Sequence, residues 1–256
     1  MPDEGRPFQS FFSRHAEDYS KSQSHASGPD LPALIEALRP RKTEVALDVA
    51  TGTGFTAITL AGRMKHVTGI DLTEEMLDQA RGLARSRGVA NIEFKLGDAM
   101  KMDFPDSSFD ILTTRRATHH FDDVPKFLLE AKRILKPGGR IGIVDMSPPE
   151  GAESFTNRIE KLRDGSHIEA FTPRAWESMI MRAGFGGLTS KVLDDRVTFE
   201  RWLYPVEPAG KEERAIRSAW KSSPKTVRSL LKAKFDRDTI TAWSKTRIVL
   251  VASKTP

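Results

Sequence analysis

The chain has 256 residues, a formal net charge of +5 and no cysteine. That length suits one domain with a large core and a small insertion. Without thiols, disulfides, thiol nucleophiles, Cys-ligated zinc and a three-cysteine radical cluster are excluded, and no apolar run approaches the length of a membrane span.

The first ten residues, MPDEGRPFQS, lack the basic and apolar regions of a signal peptide, so a cytoplasmic protein is expected. Residues 191–256 hold 15 Lys+Arg against 8 Asp+Glu, so the basic character belongs to the last quarter of the chain.

Residues 1–30 read as a polar lead-in or lid with one short helix near 8–19. Leu31–Leu38 is expected to be helical, with Asp30 as N-cap and Pro32 in the first turn. Strands are expected at Glu44–Val49, His66–Asp71, Asn91–Leu96, Phe109–Thr114 and Arg140–Asp145. Between them, helices are expected at Phe55–Arg63, Thr73–Arg87 (capped by Thr73) and Val124–Leu135, the last broken by Lys136-Pro137-Gly138-Gly139. Alternating strands and helices mean right-handed crossovers and a parallel sheet. Phe171–Gly184 is a further helix, with Thr172 as cap and Pro173 at its start. Leu188–Leu193 and Thr246–Ala252 are late strand candidates. The expected division is a core over 31–197, a helical insertion over 198–240 suited to a substrate lid, and a returning strand over 241–256.

One constellation carries the chemistry. VALDVATGTGFTA (45–57) is a β-branched run with an acid, a Gly-x-Gly turn and a helical pattern, and Asp71 ends the next apolar run. Gly52-x-Gly54-x-x-Ala57 alone also fits a dinucleotide fingerprint. Asp48 discriminates: dinucleotide strands run apolar into the first glycine, because an acid there is buried without a partner. A strand-end acid suits a cationic ligand such as S-adenosylmethionine, with its ammonium and sulfonium centres. Leu96-Gly97-Asp98-Ala99-Met100 after the third strand can take and cover an adenine ring.

In this order, with Phe109–Arg115 and Lys136–Arg140, residues 44–145 resemble class I S-adenosylmethionine-dependent methyltransferases, especially the ubiquinone/menaquinone-biosynthesis type and its small-molecule relatives. RRATHHF (115–121), LRDGSH (162–167) and Phe171-Thr172-Pro173 resemble a bacterial subgroup of them without assigned substrates. Ala50-Thr51, where the quinone enzymes have Gly-Cys or Gly-Thr, departs from those enzymes. The resemblance implies a Rossmann-like α/β fold with a mostly parallel seven-stranded sheet, flanking helices and a helical insertion before the last strand. It implies S-adenosyl-L-methionine as cofactor and a small-molecule substrate, with a monomer or homodimer expected.

Carried over residue by residue, Asp48, Ala50, Thr51, Gly52, Thr53 and Gly54 would hold the methionine end. Asp71 would take the ribose hydroxyls, with Leu72 and Met76 packing beside the nucleoside. Asp98, Ala99 and Met100 would flank adenine, Arg115 would offer its carbonyl to the ammonium, and Tyr19 would close over the site.

A base for an oxygen or carbon acceptor is sought among His119, His120 and His167, with His120 favoured over its neighbour. Either neighbour could instead brace the Asp122-Asp123 turn, and His167 could belong to an ion-paired loop. No metal is required, and no ligand spacing such as H-E-x-x-H occurs. The basic stripe Lys211, Arg214, Arg217, Lys221, Lys225, Arg228 and Lys232 is a solvated helical face or a surface for anions. Nucleic-acid methylation is disfavoured because Thr114-Arg115-Arg116-Ala117 lacks the acid/Asn/Ser-Pro-Pro-aromatic signature of amino-base enzymes. An NAD(P)-dependent oxidoreductase is the alternative from another class.

Overall fold

The apolar run Val45–Val49 forms β1, and the later runs of its kind pair outward from it on both sides. The structure, a computed structural model, describes residues 28–204 and 206–255. The helix expected near 8–19, the proposed lead-in and Tyr19 lie outside them.

In chain order, α1 is Asp30–Leu38, α2 Phe55–Ala61, β2 His66–Asp71, α3 Glu74–Ser86, β3 Ile92–Leu96 and β4 Phe109–Arg115. A 3-10 turn at Thr118–His120 leads to α4, Val124–Ile134, and β5, Leu135–Met146. Then come α5 Glu153–Arg163, α6 Pro173–Arg182, β6 Phe185–Thr198, α7 Phe199–Leu203, α8 Lys211–Lys221, α9 Lys225–Leu230, β7 Lys234–Asp236 and β8 Thr239–Lys254. The sheet runs β3-β2-β1-β4-β5-β8-β6, with β8 antiparallel to both neighbours and the short β7 paired beside it. The expected seven-stranded, mostly parallel sheet is therefore present, with one short extra strand. Strand order reverses between β1 and β4, the switch point where ligands bind in open α/β sheets.

Neighbouring strand residues face opposite layers. Ala46, Ile111 and Val144 pack under α1, α2 and α3, while Leu47, Leu112 and Ile143 pack under α4 and α6 with Phe127 and Trp176. Each large side chain fully buried in this way contributes roughly 1.5–3 kcal/mol.

Several local expectations are corrected. Asp30 is the first helical residue, and its carboxylate goes to Arg115 and Arg116 instead of capping the helix. Thr73 precedes α3 but its side chain makes no capping bond. Lys136–Gly139 stays in β5, the irregularity being absorbed as a register shift against β4. Helix α5, whose Phe155, Ile159 and Leu162 supply an apolar face, was not foreseen.

Strands β6 and β8 are much longer than expected, because the insertion is built on them. Beyond Met146↔Arg247, where β5 ends, their pairing continues from Asp194↔Thr246 to Thr198↔Ala242. On this ribbon α7, α8 and α9 form a third apolar cluster with α5, around Phe199, Trp202, Trp220 and Trp243. Trp243 lies 4.9 Å from Trp202 and 5.1 Å from Trp220, ring centre to ring centre. The basic stripe coats its outside with internal partners. Arg217 sits 4.0 Å over Phe199, Arg228 sits 4.5 Å over Phe235, and Lys221 and Lys232 pair with Asp238 and Asp194. This is the solvated-face reading.

Gly54 precedes α2 at φ +82°, and a Cβ there would lie 3.0 Å from both Ala80 and Phe94. Gly54→Ala is expected to cost about 2–3 kcal/mol, from backbone strain plus overpacking, in chemical denaturation. An unchanged midpoint would show that the turn relaxes freely.

Candidate active site

The C-terminal ends of β1, β2 and β4 open into one cavity of about 1060 Å³, counting its mouth. Its walls include Asp48, the Ala50–Thr53 turn, Asp71, Leu72, Met76, Asp98, Ala99 and Met100, with Arg115 to Ala117 and His120 to Asp122 at the far end. It brings together every described residue expected at the cofactor except Gly54. That glycine packs behind the turn against Ala80 and Phe94.

The turn is built for close approach. Gly52 has φ +52°, and a Cβ added to it would meet nothing within 4 Å, so the backbone borders open space. Ala50, a non-glycine at φ 51°, is held in the left-handed region beside it. Thr51 N–H donates to the Ile70 carbonyl at 2.9 Å, fixing the turn to β2.

Two carboxylates flank that turn. Asp48 accepts from the Thr51 and Thr113 hydroxyls, both at 2.7 Å. Burial pushes its pKa up to about 6, against the pull of those two hydrogen bonds. Asp71 accepts from Gly52 N–H at 2.8 Å and Thr73 N–H at 3.1 Å. Burial raises its pKa as well, against the same two backbone donors. On Asp48 the Arg115 charge adds to the pull of the two hydroxyls, and burial outweighs it. Asp98 accepts from Met100 N–H at 2.8 Å and orders the loop that carries the buried Ala99 and Met100.

The three histidines separate. His120 lines the cavity; His119 and His167 do not. His119 Nδ1 lies 2.7 Å from Asp145 Oδ1, and its N–H donates to Asp145 Oδ2 at 3.0 Å. Thr118 also donates to that carboxylate. Burial alone would raise Asp145, but the His119 charge and these bonds hold it below the usual carboxylate range. His119 thus braces the β5 end, not the Asp122-Asp123 turn. His167 Nε2 lies 2.8 Å from Asn157 Oδ1, which makes it a donor there, and its Nδ1 is buried without a partner among the described residues. Burial, then the charge on His119, pushes its pKa down to about 4.

His120 Nδ1 lies 3.1 Å from the Ser166 carbonyl and 3.1 Å from Ser166 Oγ. A carbonyl only accepts, so Nδ1 carries the proton and Nε2 is the acceptor nitrogen. Ser166 Oγ in turn donates to Asp164. Burial and the adjoining His119 push the His120 pKa down to about 3, so the ring is neutral at pH 7.

Sequence reasoning missed Asp145, Ser166 and Arg116. Asp145 could have been found as the acid that ends the fifth apolar run; Arg116 and Ser166 lie inside RRATHHF and LRDGSH but carry no separate signal there. Among the described residues no cluster suits a metal ion, and no helix is long and apolar enough to cross a membrane.

The cavity fits S-adenosylmethionine in chemistry. Its two carboxylates match a cationic ligand with hydroxyl donors, and Gly52, without a Cβ, admits that ligand against backbone.

Comparison with known proteins agrees. A family model described as a methyltransferase domain matches residues 40–192. The uncharacterized methyltransferase YcgJ of Bacillus subtilis is 38% identical over 208 residues, 80% of this chain and 82% of that protein. Its crystal structure matches with a TM-score of 0.84 at 27% identity, over 89% of this chain and 98% of that one. The ubiquinone/menaquinone biosynthesis C-methyltransferase UbiE of Methylobacterium nodulans is 34% identical over 191 residues, 63% of this chain and 74% of that protein. Nocamycin O-methyltransferase of Saccharothrix syringae is 31% identical over 167 residues, 64% of this chain and 59% of that protein. Fold, cavity and relatives converge: the chain belongs to the class I S-adenosylmethionine-dependent methyltransferases.

Proposed function

We propose that the chain methylates a small-molecule acceptor seated between the Gly52 turn and the 115–122 segment. The observation that carries this reading is the single cavity lined by both groups. The named relatives include a C- and an O-methyltransferase, which supports a small acceptor without fixing the atom.

When bound, the cofactor supplies an electrophilic methyl group on sulfonium, with a neutral thioether as leaving group. Asp48 would hold the ammonium end, Asp71 would accept from the ribose hydroxyls, and Asp98, Ala99 and Met100 would border the adenine. Arg115 adds its carbonyl near the ammonium; its side chain is engaged with Thr56 and Asp30. His120 holds the acceptor's N–H or O–H at Nε2 and so aims the nucleophilic lone pair in line with the methyl. Neutral at pH 7, it accepts this bond without prior deprotonation.

The insertion acts at one remove in this reading. None of its described residues over 199–238 lines the cavity. It packs on α5, and α5 leads into the Asp164–Ser166 loop behind His120. Its role is to hold that wall still and dry.

The test is methyl-donor consumption with a diverse metabolite extract, followed by identification of the methylated product. His120→Ala is expected to slow turnover on that product's precursor about a hundred-fold while S-adenosylhomocysteine affinity stays within about two-fold. Full turnover in His120→Ala would remove His120 from the reaction. Tight NADH binding would favour the oxidoreductase instead.

A further inference from the structure

The far end of the cavity sets two arginines on one buried carboxylate. Asp30, fully buried at the start of α1, receives Arg115 Nη1 at 3.1 Å and both Nε and Nη2 of Arg116 at 2.8 Å. Arg115 also bonds Thr56 and acts on Asp48. Arg247, which also acts on both Asp30 and Arg116, is paired with Asp195 at 2.9 Å. Asp122, an acid at the same end, is exposed to water, where its charge is screened, and is itself partnered.

Arg116 is the more fully engaged of the two with Asp30. Burial lowers its pKa, Asp30 opposes this, and Arg247 and Arg115 lower it further. Burial is the largest of these causes and the like charges come after it; the guanidinium keeps its proton. Arg116 lines the cavity, and its Nη1 makes no hydrogen bond to a described residue. Its backbone is left-handed at φ 60°, a conformation costly to a non-glycine residue. The chain bears that cost directly after β4, at the point where the side chain borders the cavity.

Building on the methyltransfer reading above, we propose that the acceptor carries an ionised carboxylate, or a planar oxyanion of the same shape, bound by Arg116. A guanidinium presents two edges for paired bonds. Asp30 occupies the Nε–Nη2 edge, and the Nη1–Nη2 end remains for the acceptor. Arg116 then selects the acceptor by charge, His120 aims its nucleophile, and the two contacts together fix its orientation.

The experiment uses the full chain saturated with S-adenosylhomocysteine. It is titrated calorimetrically with benzoate, salicylate and cinnamate, and with benzamide, salicylamide and cinnamamide as uncharged counterparts. At least one acid is expected to bind about ten-fold or more tightly than its amide, the size of one charge-assisted bond. Arg116→Gln is expected to erase that preference. Arg116→Lys, which keeps the charge but not the fork, is expected to retain only part of it. Both variants should bind S-adenosylhomocysteine within about two-fold of wild type. The proposal is overturned if wild type prefers no acid over its amide, or if the preference survives Arg116→Gln unchanged. The latter result would make the arginine pair an anchor for α1 only. Should Arg116→Gln fail to fold, the wild-type comparison and Arg116→Lys decide. Failure of wild type to bind S-adenosylhomocysteine would strike the methyltransfer reading instead, which separates the two.

Discussion

Asp71→Ala is expected to weaken S-adenosylhomocysteine binding about a hundred-fold while leaving the fold in place. Two hydrogen bonds from a ribose to an ionised carboxylate are worth roughly 3 kcal/mol together, and a factor of one hundred corresponds to about 2.7 kcal/mol. The fold tolerates the change for a separate reason. Burial raises the Asp71 pKa despite its bonds to Gly52 and Thr73, so the ionised side chain is kept at a cost to the empty protein. Removing it relieves that cost and forfeits two backbone contacts, which nearly offset. Asp71→Asn keeps one acceptor oxygen and should lose about ten-fold. Calorimetry gives the affinities and circular dichroism the fold. Wild-type affinity in Asp71→Ala would take the ribose role away from this residue.

The second large effect is a pH dependence of cofactor affinity set by Asp48. Its carboxyl titrates at about 6 in the ligand-free protein. A bound ammonium favours the carboxylate and lowers that value. Ligand binding then requires the charged form, so affinity is full above pH 6 and falls by up to about ten-fold for each unit of acidification below it. Binding at pH 5.5 should release protons, read as a difference in heat between buffers of different ionisation enthalpy. Asp71, raised in the same direction, adds a contribution of the same sign. Asp48→Asn should bind more weakly at pH 7 and show a much flatter profile between pH 5 and 7. An identical slope in Asp48→Asn would assign the titration elsewhere.

Much of this was legible because it depends on local chemistry. The β1–turn–α2 unit is written in one stretch, so Asp48, Gly52 and Asp71 could be placed at one sheet end from spacing alone. The five early strands followed from β-branched runs with turn residues between them. The histidines were legible as candidates but not as a ranking with geometry. What separates His120 from His119 is Asp145, which lies 26 residues from His119 in the chain and meets it only through the β4–β5 pairing. Gly54 looked like a ligand glycine because its packing partners, Ala80 and Phe94, come from α3 and β3. Asp30 looked like a cap because its partners are 85 and 86 residues away. The long β6–β8 pairing was hidden by polar residues such as Asp194, Asp195 and Arg196, which suit an exposed ribbon and resemble loop composition.

That ribbon has a mechanical consequence. Two strands zipped by backbone bonds from Asp194↔Thr246 to Thr198↔Ala242 resist bending far more than a pair of single tethers does. The tryptophan-rich module at its tip is therefore bolted to the sheet and cannot swing as a door. Loosening the module should therefore blur acceptor choice.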